Sequence, residues 1–516
     1  MGFSVLSLTN LLTAFLSYLR FAGIARFFGA DWKTDAFAVA LVVPFLVRDL
    51  IAHSFGSTFL PIYARVVEKR GLDGAGKFVN LVVTWVVIAT VFLLALLFAG
   101  SRQVVLAVSP GGSGEMLHLA GAMLKVLLPM VLLRAVNGIL SNFIQYQKRY
   151  STLGLAGVLD LFVSTTMLFV VGSRWGIMIL PISITVGVAV AFLYVFCKTV
   201  RSGYRPQPVL EKDVHLTQLF RMAVPVVLGT LAGFLGPVAD KILASFLMPS
   251  SITALDYAER IKNIAFTVAF APFAVMAEIS YATGAARGEQ EFLKGQLRTG
   301  LNQTSMLMFP LAAFLTAVSF PLVSVLFQRG SFTAENARYV AFALAFSAPW
   351  LLRSGLFTLT AKAFYALKDS TTPVVIGVTG LVVNVLLNFI LIGPMGIGGL
   401  ALATTLSSTL KAFYQTWALS RKLGGLGLRS ILPEQVRMLS AMGIMTGAVI
   451  LIQRLIPFEG DASLSARAGR LAVYAVSGFS AYILALIVLG CGTLSGFVAM
   501  LRKKLADRGN ASSEDR

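Results

Sequence analysis

About fourteen long apolar runs follow one another along this 516-residue chain, and that recurrence constrains its fold more than any other feature. A helix that crosses a bilayer needs about 20 mostly apolar residues. Runs of that kind stand at about 3–25, 35–63, 77–100, 116–146, 152–173, 176–199, 217–247, 252–283, 297–327, 337–366, 372–392, 396–420, 436–456 and 470–497. Several are longer than the minimum, which implies tilt or extension past the hydrocarbon. Backbone polar groups in lipid must be satisfied within their own segment, so runs of this length are helices. Charged residues make up 13% of the chain and hydrophobic ones 57%, whereas a soluble domain carries about 25% charge. Water is excluded as the main solvent, and so is disorder. The chain reads as an all-α polytopic membrane protein. Its first run has no basic segment ahead of it and is too long for a signal-peptide core, so it is expected to be a retained helix.

Charge sets the orientation. The formal net charge is +20, but no basic block interleaved with aromatics is present to line a nucleic-acid groove, so that partner is excluded. With the amino terminus inside, the inner junctions hold Arg65, Lys69, Arg70 and Lys77, then Lys148 and Arg149, then Lys198, Arg201, Arg205 and Lys212. Further along they hold Arg287, Lys294, Arg298, Lys368, Arg421, Lys422, Arg429 and Arg437. The positive-inside rule then puts both termini in the cytoplasm, with residues 499–516 as a polar tail.

The chain also repeats itself. PMVLLR at Pro129–Arg134 returns as PWLLR at Pro349–Arg353, and Tyr146, Arg149, Ser151 and Thr152 return as Tyr365, Lys368, Ser370 and Thr371. Gly172 and Gly176-Ile177 match Gly393 and Gly396-Ile397, and Ala25 and Phe27 match Ala244 and Phe246. One offset of about 220 residues links all of these and pairs the first six runs with the next six. Six is even, so the halves share one orientation. Such a parallel repeat is a transporter architecture with its site between two lobes. The expected division is a first lobe at 1–205, a second at 206–425, an extra helix pair at 426–498 and the tail.

Charges inside the runs locate a candidate site, because each costs at least about 2.5–3.5 kcal/mol to insert. Arg20 lies late in the first run; Arg48 and Asp49 lie within the second, which Asp35 opens. Arg134 belongs to the fourth, Asp240 and Lys241 to the seventh, and Glu259, Arg260 and Lys262 to the eighth. Arg353, Lys362 and Lys411 follow. Arg20, Arg48 and Arg260 are read as a cationic, water-filled cavity for an anionic headgroup, since guanidinium forks match phosphate oxygens, with Asp35 and Glu259 in cavity or gating roles. The bland alternative is salt bridging within the bundle, Arg48 with the neighbours of Asp49, and Glu259 or Asp240 with Lys241 or Lys262. Asp240, Asn384, Asn388 and Thr404 form a second set of oxygens suited to Na⁺, against the ordinary use of Asn for interhelical hydrogen bonds. Cys197 and Cys491 are read as small buried hydrophobes. No phosphate-binding loop or histidine-based metal motif is present, so neither ATP coupling nor an enzyme is expected. A glycosyltransferase acting on lipid-linked sugars would be the enzymatic alternative, but it should place acidic residues on a large outer loop, and the outer junctions are short.

The stretch ARFFGADWKTDAFAVALVVPFLVRDLI (25–51) and FLPIYARVVEKRG after it resemble the MurJ/MviN lipid II flippases of the MOP exporter superfamily. So do LFQRGSFTAENA (326–337), KAFYALKDSTTPVVIG (362–377) and LNFILIGPMGIGGLALATTLSS. The resemblance implies fourteen helices, a V-shaped cavity between two six-helix lobes, and a groove for the polyprenyl tail on the last two. It implies a bacterial cytoplasmic-membrane protein that flips lipid II from the inner to the outer leaflet. Its expected surroundings are membrane lipids, with no cofactor beyond a coupling Na⁺, and it is expected to act as a monomer. The family's cavity arginines fall on Arg20, Arg48 and Arg260 and its second-helix aspartate on Asp35. Two positions depart: Ala14 stands where the family has a further arginine, and His53-Ser54 where it has Glu-Gly. The alternatives are a flippase for another polyprenyl-linked saccharide, or a drug or cation antiporter of the same superfamily.

Overall fold

The fold, a computed structural model, describes residues 2–172, 174–211, 213–287 and 289–496. The expected tail at 499–516 lies outside the described residues, as do the side chains of His53 and Ser54. Among the described residues every regular element is helical. In chain order they are α1 (Gly2–Phe28), α2 (Trp32–Ala40), α3 (Val42–Ala99), α4 (Ser101–Val108), α5 (Gly114–Tyr146), α6 (Tyr150–Val171), α7 (Ile179–Arg201) and α8 (Val214–Ala244). There follow α9 (Ser251–Ala286), α10 (Gln290–Ala317), α11 (Ser319–Phe327), α12 (Ala334–Ser347), α13 (Leu351–Ala366), α14 (Thr371–Met395), α15 (Ile397–Lys422), α16 (Leu428–Leu455) and α17 (Leu464–Val488). Side chains start several of them: Asp31, Ser113, Asp213 and Ser463 each accept a backbone N–H from the first turn of α2, α5, α8 and α17.

Among the described residues ten helices are long and apolar enough to span a membrane, or eleven if α10 and α11, bent by 77° about Val318, make one span. About fourteen were expected. The runs that fall short are 35–63, 252–283 and 396–420, and the reason is chemical. The first carries Arg48 and Asp49, the second Asp256, Glu259, Arg260 and Lys262, and the third a Thr/Ser-rich stretch with Lys411. Helices short of apolar residues line water or protein instead of lipid. Conversely, Val382, Leu386, Phe389 and Ile390 stand exposed on α14, as lipid-facing side chains do. The expected break between the second and third runs survives inside α3 as Gly71, whose φ of 70° interrupts the helix.

Contacts divide the chain into two compact units, 1–254 with 327–336, and 255–326 with 337–516. In the first unit α1 packs on α6, α3 on α5 and α8, and α5 and α6 on α7. Its core stacks Phe59 on Tyr63 and on Phe78, with Phe143 and Ile144 behind them. In the second unit α10 packs on α13 and α16, α14 on α15, and α16 on α17, around Met306, Phe309, Met445, Tyr482 and Leu486. Cys491 is buried as expected, and its thiol donates to Glu434 Oε2 at 3.1 Å. Cys197 is not: it is exposed on α7, a position a thiol tolerates because lipid is as apolar as a core.

The backbone carries the internal repeat. Positive φ is uncommon outside glycine, and among the described residues the non-glycine cases are Lys148 (59°), Ser250 (80°) and Lys368 (59°). Lys148 and Lys368 are 220 residues apart. Gly29 and Ser250 are 221 apart, Gly176 and Gly396 are 220, and Gly203 and Gly424 are 221. The left-handed turns recur at the sequence offset, including at residue types that disfavour them.

Within the first unit, residues 327–336 clamp the end of α1. The Ser331 N–H donates to the Arg26 carbonyl at 2.9 Å, the Ser331 hydroxyl to Phe27 O, and Asn336 Nδ2 to Ala30 O. A Cβ on Gly330 (φ 59°) would lie 2.3 Å from Arg26 O, and one on Gly29 (φ 69°) 2.5 Å from Ser331 O. Gly330→Ala should therefore cost more than the about 1–2 kcal/mol of its left-handed conformation alone. Gly424→Ala, at φ 66° with nothing within 4 Å, should cost only that. Thermal unfolding of the two variants checks the difference.

In the second unit Asp369 joins the α13–α14 turn to the end of α15. Its carboxylate accepts from Lys422 Nζ at 2.5 Å and from the Thr372 N–H at 3.0 Å. The Lys422 ammonium, then the Thr372 N–H, hold its pKa at about 2. A depressed folded value contributes stability above the ordinary carboxylate range, lost as pH falls from about 4 toward 2. Lys422→Met should flatten that loss in unfolding measured between pH 6 and pH 3, by less than about 1 kcal/mol because solvent screens the pair.

Candidate functional site

Arg20 sits partly buried on α1, and Arg48 on α3. Salt bridging within the bundle holds for the second, with Asp49 itself as the partner: Arg48 Nε donates to Asp49 Oδ1 at 2.6 Å. The guanidinium also lies 4.5 Å from the Phe45 ring centre. The pair is 35% and 22% exposed, so solvent screens it and its net contribution to stability is small.

Asp35 lies in the first turn of α2, but its oxygens serve another helix. Oδ2 accepts from the Ser250 N–H and Oδ1 from the Thr253 N–H, both at 2.7 Å, with the side chain 5% exposed. These N–H groups open α9, where a helix has donors without intrahelical acceptors and a partial positive charge. The left-handed Ser250 turns the chain so that its amide faces the carboxylate. No local pattern in the sequence announces this contact, since 215 residues separate its partners.

Two and a half turns into α9 stand Glu259, Arg260 and Lys262. Arg260 is partly buried and Glu259 exposed. Glu259 Oε1 lies 3.6 Å from Lys262 Nζ, the other bland pairing. Lys262 is 3% exposed, with its ammonium 4.7 Å from the Trp350 ring centre, and Phe266 meets that indole edge-on at 5.3 Å. The aromatic pocket for Lys262 was not foreseen. Trp350 in the PWLLR repeat segment was its signal, a residue its first-half counterpart lacks.

Of the four residues read as a cation set, three meet. Asn384 Nδ2 donates to Thr404 Oγ1 at 3.2 Å, and Asn388 Nδ2 to Asn384 Oδ1 at 3.5 Å, with both asparagines buried. The first is an interhelical hydrogen bond between α14 and α15, and the second lies within α14. Asp240 lies partly buried on α8, in the first unit. Lys362 is paired with Glu278 at 2.5 Å and Arg134 with Asp160 at 2.5 Å.

The family model described as "Lipid II flippase MurJ" matches residues 24–466, which include every candidate residue above except Arg20. The probable lipid II flippase MurJ of Buchnera aphidicola subsp. Schizaphis graminum is 25% identical over 508 residues, 96% of this chain and 98% of its own. The lipid II flippase MurJ of Burkholderia cenocepacia is 27% identical over 400 residues, 75% of this chain and 77% of its own. In fold, the chain is similar to a lipid II flippase MurJ in an inward closed conformation, with a TM-score of 0.79, 17% identity, and 94% and 98% of the two chains covered. It is also similar to an inward-facing multidrug resistance MATE transporter of the MOP superfamily, with a TM-score of 0.68, 14% identity, and 82% and 95% covered. A multi-pass helical fold, a repeated backbone, and a match through nearly all of the polar helices agree: this chain belongs to the lipid II flippase MurJ family.

Proposed function

We propose that this protein flips undecaprenyl-diphosphate-linked peptidoglycan precursor, lipid II, from the inner to the outer leaflet of the bacterial cytoplasmic membrane by alternating access. The family match over residues 24–466 carries the reading. Arg20, Arg48 and Arg260 hold the diphosphate, while the prenyl tail stays in lipid along α16 and α17. Both termini face the cytoplasm, the protein acts as a monomer, and its work is transport and not catalysis. An inside-negative potential contributes about 2.3 kcal/mol per charge per 100 mV. It drives the anionic headgroup outward and returns the emptied cationic cavity, so no ATP is needed. A cation at Asp240, Asn384, Asn388 and Thr404 resets the cycle.

Complementation of a flippase-depleted bacterium tests this. Expression should restore growth and remove lipid II from the inner leaflet; an inserted protein that leaves lipid II accumulated there would refute the assignment. Ala14 and His53-Ser54, where the family has Arg and Glu-Gly, support the second reading of a different polyprenyl-linked saccharide. That reading gains if complementation fails while binding to another polyprenyl diphosphate persists.

A further inference from the structure

The first unit holds a polar cavity that the proposed transport role does not use. It lies among α5, α6 and α7, measures about 600 Å³ with its mouth included, and is lined by Arg134, Asn137, Ser141, Gly157 and Asp160 with apolar neighbours. Asn137 and Ser141 are four residues apart and share a face of α5. Asp160, on α6, is 7% exposed. Its Oδ2 accepts from Arg134 Nη2 at 2.5 Å, but its Oδ1 is buried without a hydrogen-bond partner. The same holds for Asn137 Oδ1 and Arg134 Nε. Gly187 keeps α7 against this oxygen: a Cβ there would lie 2.9 Å from Asp160 Oδ1.

A buried polar atom left unpaired costs about 1–3 kcal/mol, so three around one void mark a place built for a ligand. Two of the three are bare oxygens, and the Ser141 hydroxyl adds a third. Oxygens without donors ask for a cation. A single carboxylate, half-neutralised by Arg134, is too little charge for a divalent ion, which gathers several carboxylates. We propose that this cavity binds a monovalent cation of sodium's size through Asp160 Oδ1, Asn137 Oδ1 and the Ser141 hydroxyl. Water completes the shell and accepts from Arg134 Nε. Arg134 acts as a built-in counter-charge that keeps the affinity low and the ion exchangeable.

The test uses the full-length protein in phosphatidylcholine nanodiscs without lipid II, so its outcome is independent of the transported lipid. Binding of radioactive ²²Na⁺ and the thermal midpoint are followed as NaCl replaces choline chloride at constant ionic strength. Saturable, Na⁺-specific binding is expected. Asn137→Leu and Ser141→Ala leave the Arg134–Asp160 pair intact and should raise the half-saturating concentration about tenfold, each removing one ligand oxygen. Arg134→Gln should lower it about tenfold or more by removing a nearby positive charge, the opposite of what losing a merely structural salt bridge would do. Measuring each variant in an Asp240→Asn background takes the other candidate cation set out of the readout. A cavity that holds only water would show no Na⁺ dependence, and that result overturns the proposal. Binding in that background that ignores Asn137→Leu and Ser141→Ala overturns it as well. If Arg134→Gln fails to fold, the two α5 variants decide.

Discussion

Arg260→Ala is expected to abolish lipid II transport while the protein still folds and inserts. A guanidinium bound to a diphosphate makes charge-assisted, bidentate hydrogen bonds. Truncating such a group costs about 2–5 kcal/mol, roughly 30- to 5,000-fold in occupancy of the loaded state. Arg260→Lys keeps the charge but loses the fork and should fall between the two. Arg48 should behave differently, because Arg48→Ala leaves Asp49 without the ion pair it has now and facing an anionic cargo. The Arg48→Ala, Asp49→Asn double variant should therefore recover part of the activity that Arg48→Ala loses. The measurement is inner-leaflet lipid II after depletion of the host flippase, with membrane insertion monitored in parallel. Full activity in both arginine variants would end the cationic-site reading.

Asp35→Ala is expected to be the most destabilising single change in the first unit. It removes both acceptors from the Ser250 and Thr253 N–H groups. Two buried donors are left unpaired at about 1–3 kcal/mol each, and a carboxylate that complements the helix dipole is lost, so the total is about 2–5 kcal/mol. Asp35→Asn retains one acceptor oxygen without the charge and should cost about half as much. Unfolding in detergent gives the stability order, and the complementation assay gives the functional one. Wild-type stability in Asp35→Ala would mean that the first turn of α9 does not depend on this carboxylate.

Much of the fold was legible in the sequence. Hydrophobic runs report a local property, the match between segment and solvent, so the helical membrane class followed from them directly. The repeat was legible because both halves keep the same turn chemistry, and the left-handed residues near Lys148 and Lys368 bear it out in the backbone. Apolarity alone gives ten or eleven spans among the described residues and not fourteen, because the helices that carry Arg48, Arg260 and Thr404 lack the hydropathy of lipid-facing ones.

The site was legible as residue types and not as partnerships. Arg48 and Asp49 are neighbours in sequence, so their pairing could be anticipated, as could that of Glu259 with Lys262. The bond from Asp35 to the start of α9, the Trp350 face over Lys262, and the cavity around Asp160 could not. What the sequence determined on its own is the solvent, the helices, the repeat and the charges that membrane insertion makes costly. Those follow from interactions within one segment or between a segment and its surroundings. Only the tertiary structure decided which donor meets which acceptor, because side chains more than a hundred residues apart meet through helix packing, and packing depends on the whole unit at once.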